Sequence, residues 1–393
     1  MDETEFKCKT CSGLLEVKFD LSGRNAPNWN DRQLSVWKYR ELLPISAERA
    51  IVSLAEGGTG LHRCERLGNK LGLKKLYVKN EGENPTGSFK DRGMTVAISK
   101  AKELGKKKVF CASTGNTAAS LAAYSARAGI ECIVLVPKGR VAGGKMLQVV
   151  MHGAKVIEVE GDFDTALELA LEMAAQKKEL YLMNSINPFR LEGQKTLAFE
   201  ILEQLDYKVP NSVILPVGNG GNISAAWKGF SEFQELKIVK ERPRMIGIQA
   251  EEAAPIAIAV RAGQSRIRPT PNPQTIATAI RIGSPVNWPK VLRAIKESQG
   301  TAETVTDREI LDAQLDLATL EGIFVEPASA ASIAGLKKLA EQGIVVSSET
   351  VVCVTTGHGL KDSSVLEHLP ESRTSYNAEI TDPASLESLG LVR

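Results

Sequence analysis

Apolar positions along this chain change their spacing in a regular way. Between Leu76 and Leu236, short apolar runs alternate with longer stretches whose apolar side chains return every third or fourth residue. The short runs predict strands over 76–79, 108–111, 132–136, 155–159 and 212–217. The longer stretches predict helices over 92–104, 116–128, 144–152, 164–176, 191–205 and 222–233. The rhythm resumes with a strand over 245–249, helices over 251–262, 288–298, 307–320 and 328–342, and a strand over 350–354. Residues 265–287, rich in proline and arginine, interrupt it and read as an excursion. The tail beyond Lys361 has weak periodicity and is expected to wrap the surface.

Strand–helix alternation at this spacing predicts an α/β fold with parallel sheets and right-handed crossovers. So many strands would make an unusually wide single sheet, so two are expected. In open parallel sheets, ligands bind beyond the carboxyl ends of the strands. The turns that follow each strand are therefore where chemistry is to be sought.

Composition narrows the picture without changing it. The 393 residues suffice for two or three domains, and 43% hydrophobic and 24% charged residues are ordinary for a globular enzyme. A net charge of +2 gives no electrostatic reason to expect nucleic acid or an anionic membrane as partner. The longest aliphatic stretch, near Ile130 to Val136, is far short of a membrane span. The acidic start Met1–Glu5 lacks the apolar segment of a signal peptide. Cys64, Cys111, Cys132 and Cys353 sit alone, three of them in apolar runs, as small core residues of a reducing cytoplasm do. Cys8-Lys9-Thr10-Cys11 is different, because CxxC before small residues is the knuckle of a zinc ribbon. A tetrahedral site needs four ligands and there is no second CxxC; His62 and Cys64 could complete one only if the fold brings them close. A ribbon remnant with free thiols is the expected reading.

The turn Asn84-Pro85-Thr86-Gly87 lies between a strand and a helix, and Lys90 stands at the mouth of that helix. Backbone N–H groups there disfavour extra positive charge, which favours the neutral amine that a Schiff-base nucleophile needs. Taken alone, a lysine in Lys-Asp-Arg is usually a surface residue at a helix start. After strand 108–111 comes Ser113-Thr114-Gly115-Asn116-Thr117, whose hydroxyls, amide and free N–H groups suit a carboxylate or a simple N-cap. After strand 212–217 comes Gly218-Asn219-Gly220-Gly221-Asn222, and three glycines in four positions let backbone approach a phosphate. After strand 350–354 comes Thr355-Thr356-Gly357-His358-Gly359, a hydroxyl ringed by glycines that can meet a flat heteroaromatic. Gly139 to Met146 matches GxxxxGK, but Met146 stands where a P-loop needs Ser or Thr.

Together these turns resemble pyridoxal-phosphate enzymes of fold type II, and within that group the threonine synthase family. The likeness rests on NPTGSFKDRG around Lys90, STGNTA at 113–118, GNGGN at 218–222 and TGHGLKD at 356–362. It runs from roughly Leu54 to Asp362. Phe89 before the lysine and Thr356 before Gly-His-Gly favour this family over cysteine synthases and dehydratases. The halved ribbon start and the tail beyond Asp362 depart from its pattern.

The resemblance implies a two-domain fold of open twisted parallel sheets with helices on both faces and the active site between the domains. The expected division is an N-terminal segment 1–82 packed on the large domain, a small α/β domain 83–183 and a large one 184–393. It implies pyridoxal 5′-phosphate held as a Schiff base on Lys90, which is also the acid–base, beside Phe89 and with Asn116 at the ring oxygen. Gly218, Asn219, Gly220, Gly221 and Asn222 would cradle the cofactor phosphate, and Thr356 would meet the pyridine nitrogen. Ser113, Thr114 and Thr117 resemble a substrate-carboxylate loop; Asn184, Ser185 and Arg190 resemble residues that bind a substrate phosphate. The implied reaction converts O-phospho-L-homoserine and water into L-threonine and phosphate, in a cytoplasmic homodimer. A cysteate-synthase-like enzyme acting on O-phosphoserine and sulfite shares most of these motifs. A threonine or serine dehydratase would have no need of the second anion site. A non-catalytic cofactor-binding protein would have no need of Lys90.

Overall fold

The structure, a computed structural model, describes residues 5–139, 144–161, 163–177 and 179–362. By its contacts the chain divides into Met1–Ser363 and Ser364–Arg393, and everything below belongs to the first unit. The expectation for the tail beyond Lys361 falls almost wholly outside the described residues, as does the middle of the GxxxxGK segment.

Among the described residues, ten strands form two sheets. They are β1 Leu61–Arg63, β2 Lys75–Asn80, β3 Lys108–Ala112, β4 Glu131–Pro137, β5 Lys155–Val159, β6 Leu180–Leu182, β7 Ser212–Pro216, β8 Arg244–Ala250, β9 Thr301–Val305 and β10 Thr350–Thr355. Six of them run in the order β1-β2-β10-β7-β8-β9, four in the order β5-β4-β3-β6. Every neighbouring pair is parallel except β1 with β2. Buried strands of parallel sheets are covered on both faces, and Ser212–Pro216 is buried at every position.

The helices between them are α1 Glu65–Lys70, α2 Lys90–Glu103, α3 Asn116–Ala128, α4 Gly144–Met151, α5 Phe163–Gln176 and α6 Pro188–Gln194. They continue with α7 Thr196–Gln204, α8 Gly221–Glu235, α9 Pro255–Arg261, α10 Trp288–Glu297, α11 Asp307–Glu321 and α12 Pro327–Glu341. The helix expected over 191–205 is two helices meeting at Lys195. The first starts early because the Asn187 side chain caps the Phe189 N–H at 3.0 Å and Pro188 fills the first turn. The helix expected over 251–262 divides at Pro255, which has no N–H to continue a preceding turn. Three strands escaped the pattern: β1 and β6 have three residues each, and β9 reads Thr-Ala-Glu-Thr-Val.

The N-terminal segment touches both cores. Phe6 packs with the four-stranded sheet, edge-on to Tyr181 at 5.4 Å, while Leu21, Trp29, Tyr39 and Leu42 join the core of the six-stranded sheet. Two glycines let helices α2 and α6 meet backbone to backbone. A Cβ on Gly193 would lie 1.7 Å from the Arg92 carbonyl oxygen, and one on Gly93 2.8 Å from that of Arg190. Below this crossing lies a buried ion cluster. Arg92 donates to Glu81 at 2.6 and 2.7 Å and to Glu200 at 2.6 and 2.7 Å, and Lys79 donates to Glu200 at 2.8 Å. The cluster ties the end of β2, the first turn of α2 and α7 together, and so fixes where α2 begins.

Candidate active site

Lys90 is the first residue of α2, and the turn before it is built as the residues require. The Gly87 N–H donates to the Asn84 carbonyl at 2.7 Å, with Gly87 at φ +80°, where a side chain would be strained. Asp91 reaches back to accept from the Thr86 N–H and hydroxyl, each at 2.7 Å, and also from Ser120 at 2.5 Å. Burial pushes the Asp91 carboxyl up to about 6. Two antiparallel bonds then stitch this turn to the loop after β10. The Phe89 N–H donates to Thr356 O at 3.0 Å, and the His358 N–H to Gly87 O at 2.9 Å. Lys90 and Thr356, 266 positions apart in sequence (356 − 90), are thereby neighbours.

The four motif loops open on one cleft. Phe89 and Lys90 line it from α2, Asn116 from the start of α3, and Ser185 and Arg190 from the segment after β6. Gly218 to Asn222 line it from the start of α8, and Thr356 from the end of β10. Gly220 caps α8 at φ +81°, which aims the free N–H groups of a 15-residue helix into the cleft. The excursion between β8 and β9 contributes Ala279 and Ile280 to the wall.

Burial, with the Arg190 charge next, lowers the Lys90 amine to about 7. Arg190 is itself buried, which pushes its guanidinium down to about 10, still charged at neutral pH. Its Nη1 donates to Met183 O at 3.0 Å and its Nη2 faces the Thr117 hydroxyl at 3.5 Å, while its buried Nε has no partner.

The remaining expected residues stand differently. Ser113 and Thr114 are half-buried in the loop before α3 and do not line the cleft; the Ser113 hydroxyl accepts from the Gly115 N–H at 3.1 Å. Thr117 reaches the site through Arg190. Asn184 spends both ends of its amide on the backbone of Ala112, at 3.0 Å each, and so pins the end of β3. At the N-terminus, Cys8 and Cys11 sit in a tight turn closed by Cys8 N–H to Gly13 O at 2.8 Å, and both thiols are free. N–H groups of Cys11 and Thr10 lower the Cys8 thiol. His62 pairs with Glu83 at 2.6 Å and Cys64 is buried. Among the described residues no group of three or more His, Cys, Asp or Glu is placed to hold a metal.

Several residues in or around the cleft carried no sequence signal. Glu326, just before α12, is buried; its Oε1 accepts from Asn116 Nδ2 at 2.9 Å and its Oε2 lies 3.4 Å from Lys145 Nζ. Ser329, on the first turn of α12, contacts the Thr356 hydroxyl at 2.9 Å and accepts from the N–H groups of Thr356 and Gly357 at 2.9 and 2.8 Å. Gln194 and Asn287 flank the glycine loop. Each lies in ordinary helix or loop sequence, so only the fold reveals it.

Comparison with known proteins places this arrangement. The model of the family described as "Pyridoxal-phosphate dependent enzyme" matches residues 52–357, and the chain belongs to that family. Its curated relatives are narrower in kind. The threonine synthase of Methanocaldococcus jannaschii is 59% identical over 366 residues, covering 92% of this chain and 90% of that one. That of Methanosarcina acetivorans is 57% identical over 381 residues, 96% of this chain and 93% of its own. Within the pyridoxal-phosphate enzymes the chain therefore falls in the threonine synthase family. Among solved structures, the processed form of threonine deaminase isoform 2 from Solanum lycopersicum superposes with a TM-score of 0.67 at 25% identity, over 79% of this chain and 81% of that one. Maize serine racemase, at 23% identity and TM-score 0.68 over 86% and 96% of the two chains, shares the fold.

The cleft residues fit such a cofactor. Among the described residues, buried side-chain atoms without a protein hydrogen-bond partner include both amide atoms of Asn222, Asn116 Oδ1, Gln194 Oε1 and Arg190 Nε, all on this cleft. Buried polar groups in proteins are almost always bonded. A polar, phosphorylated ring would meet this set.

Proposed function

We infer that the chain is a pyridoxal-phosphate-dependent lyase with threonine synthase activity, and we propose O-phospho-L-homoserine as its substrate. The observation that carries the substrate is Arg190, a buried cation with an unpartnered N–H on the same cleft as Lys90. Two separate anion positions, one at the glycine loop and one at Arg190, match a phosphorylated cofactor and a phosphorylated amino acid.

Gly218 to Asn222 and the start of α8 would hold the cofactor phosphate, Asn116 the ring oxygen and Thr356 the ring nitrogen. When bound, the cofactor delocalises negative charge that develops on the substrate carbon chain. Lys90 takes the proton from Cα and returns one there; at about 7 its amine is poised for both at neutral pH. Thr356 offers a neutral hydroxyl, so it orients the ring without forcing a full positive charge on the nitrogen. Arg190, with Ser185 beside it, holds the phosphate that leaves Cγ through charge-assisted bonds. The loop 113–117 is the proposed carboxylate clamp, with Thr117 linking it to Arg190. Asn184 contributes by fixing the end of β3. A proton leaves Cβ as the phosphate leaves Cγ and one is returned to Cγ; water then bonds to Cβ through its oxygen while its spare proton ends on the phosphate, so that the net products are L-threonine and phosphate.

We also propose that 83–183 and the described residues of 184–393 act as two bodies flanking the cleft, with 1–82 packed on the second, and that the enzyme works as a cytoplasmic homodimer. No helix among the described residues is long and apolar enough to cross a membrane. Parallel incubation with O-phosphohomoserine, and with O-phosphoserine plus sulfite, tests the substrate. Threonine and phosphate from the first alone are expected. Cysteate from the second would replace this reading with a β-replacement enzyme.

A further inference from the structure

Lys145, the lysine of the GxxxxGK segment, enters the cleft region rather than a nucleotide site. From the first turn of α4 its Nζ lies 3.4 Å from Glu326 Oε2, 3.4 Å from Asp362 Oδ2 and 3.2 Å from the Thr278 hydroxyl. Glu326 is the other half of the pair. Its backbone N–H donates to Gly357 O at 3.0 Å, and a Cβ on Gly357 would come within 2.7 Å of its Oε1, so glycine at 357 makes room for this carboxylate. The start of α12 supplies a favourable field for a negative charge. One of the two hydrogens of Asn116 Nδ2 is committed to Glu326 Oε1 at 2.9 Å. That fixes which way the amide faces and leaves Asn116 Oδ1 and the second hydrogen unspent.

We propose that Glu326 is a positioning residue for the reaction: Oε1 sets the orientation of Asn116, and Oε2, balanced by Lys145, sets the charge around Lys90 as it gains and loses a proton. The proposal rests on the reading of Lys90 as the proton-transfer residue. The charged groups concerned come from five places. Lys90 lines one cleft with Arg190 on α6 and Glu326 before α12, and Lys145 on α4 pairs with that Glu326. Glu326 pairs with Lys145, and its charge is also felt by Lys361, which donates to Thr86 O at 2.6 Å and to Gln148. Asp91, on α2 itself, is taken up by Thr86 and Ser120, and Asp362 contacts Lys145 and Thr278. Burial opposes charge on Lys90, Arg190 and Lys145 oppose it further, and Glu326 alone of these favours it.

The two members of the pair therefore act on Lys90 in opposite directions, which a merely structural role would not produce. Competitive acetylation of the full-length, cofactor-free chain, followed residue by residue by mass spectrometry across pH, reads the Lys90 midpoint. Glu326→Gln keeps an acceptor for Asn116 but removes the charge. Its Lys90 should label about tenfold faster at a fixed pH below the midpoint, because the amine loses its proton more readily. Lys145→Gln removes a like charge, and Lys90 should label about threefold more slowly at the same pH. In the cofactor-loaded protein, Glu326→Gln should also move the absorption maximum of the bound chromophore, because Asn116 then donates to a neutral acceptor in place of a carboxylate. A Lys90 midpoint unmoved in either variant, or moved the same way in both, overturns the proposal. Lys145 is part-exposed, so its variant decides alone should Glu326→Gln fail to fold. Threonine production with an unmoved midpoint would sink this inference only; midpoints that move as stated without threonine production would sink the functional reading and leave this one standing.

Discussion

At the scale of single residues, the molecule concentrates cations where anions must come and go. Lys90 shows what burial, with those cations next, does to an ordinary side chain. Its amine lies near 7 when folded and 10.5 in an unfolded chain. Between those values the unfolded chain binds more protons, so the cofactor-free protein should gain stability as pH rises through that window. Denaturation midpoints that are flat or fall between pH 7 and pH 10 would contradict the burial of this amine. With cofactor bound, borohydride reduction should fix the chromophore to the peptide holding Lys90, and Lys90→Ala should leave it unfixed. Arg190 tests the substrate. Arg190→Lys keeps the charge but loses the planar fork, and should cost roughly 1–3 kcal/mol in kcat/KM with the phosphorylated substrate. Slow exchange of the Cα proton of a phosphate-free amino acid should be nearly untouched. Equal losses in both assays would make Arg190 a structural residue.

At the scale of elements, the site depends on helices set closer than side chains normally permit. Gly193 lets α6 lie against the Arg92 carbonyl, which brings Arg190 beside Lys90. Gly193→Ala should push the two helices apart at a cost of about 3 kcal/mol, the upper end for overpacking, and lower kcat/KM more than it lowers cofactor retention. Chemical denaturation and equilibrium dialysis of the cofactor would separate the two effects. The elements were legible from the sequence wherever periodicity was long, and β5 and α3 fall on the expected residues. Strands of three residues offer no period to read, and a polar edge strand such as β9 mimics a loop. The same contrast holds in the site. Lys90, Asn116, the glycine loop and Thr356 stand in local motifs whose residue types state their chemistry. Glu326 in Val-Glu-Pro and Ser329 in Ala-Ser-Ala stand in ordinary helix starts, and become site residues only because α12 packs against the end of β10.

At the scale of the whole molecule, one buried charge cluster holds the chain's early and middle parts in register. Burial alone would raise the Glu200 carboxyl, but Arg92 and Lys79 overcome it and hold it at about 2. A carboxylate held below its unfolded value of 4.5 gives stability that is present above that pH and is lost as pH falls toward 2. Acid unfolding should therefore steepen in that window. Glu200→Ala would leave Arg92 and Lys79 buried without their shared partner and should cost about 3–5 kcal/mol. A loss under 1 kcal/mol by urea denaturation would mean that the cluster relaxes to water on mutation.

The order β1-β2-β10-β7 has a further consequence for how the molecule comes into being. A ribosome delivers β3 to β6 as one continuous stretch, so the four-stranded sheet can form while the rest is still being made. The six-stranded sheet cannot, because β2, made early, pairs with β10, which emerges some 270 residues later (350 − 80). Until then β2 has an open edge, the kind of surface that invites wrong pairing. Thr356 and the turn before Lys90 are joined by the same late event. The catalytic cleft is thus among the last of the described parts to be completed during synthesis, and a nascent chain holds no working site until β10 is in place.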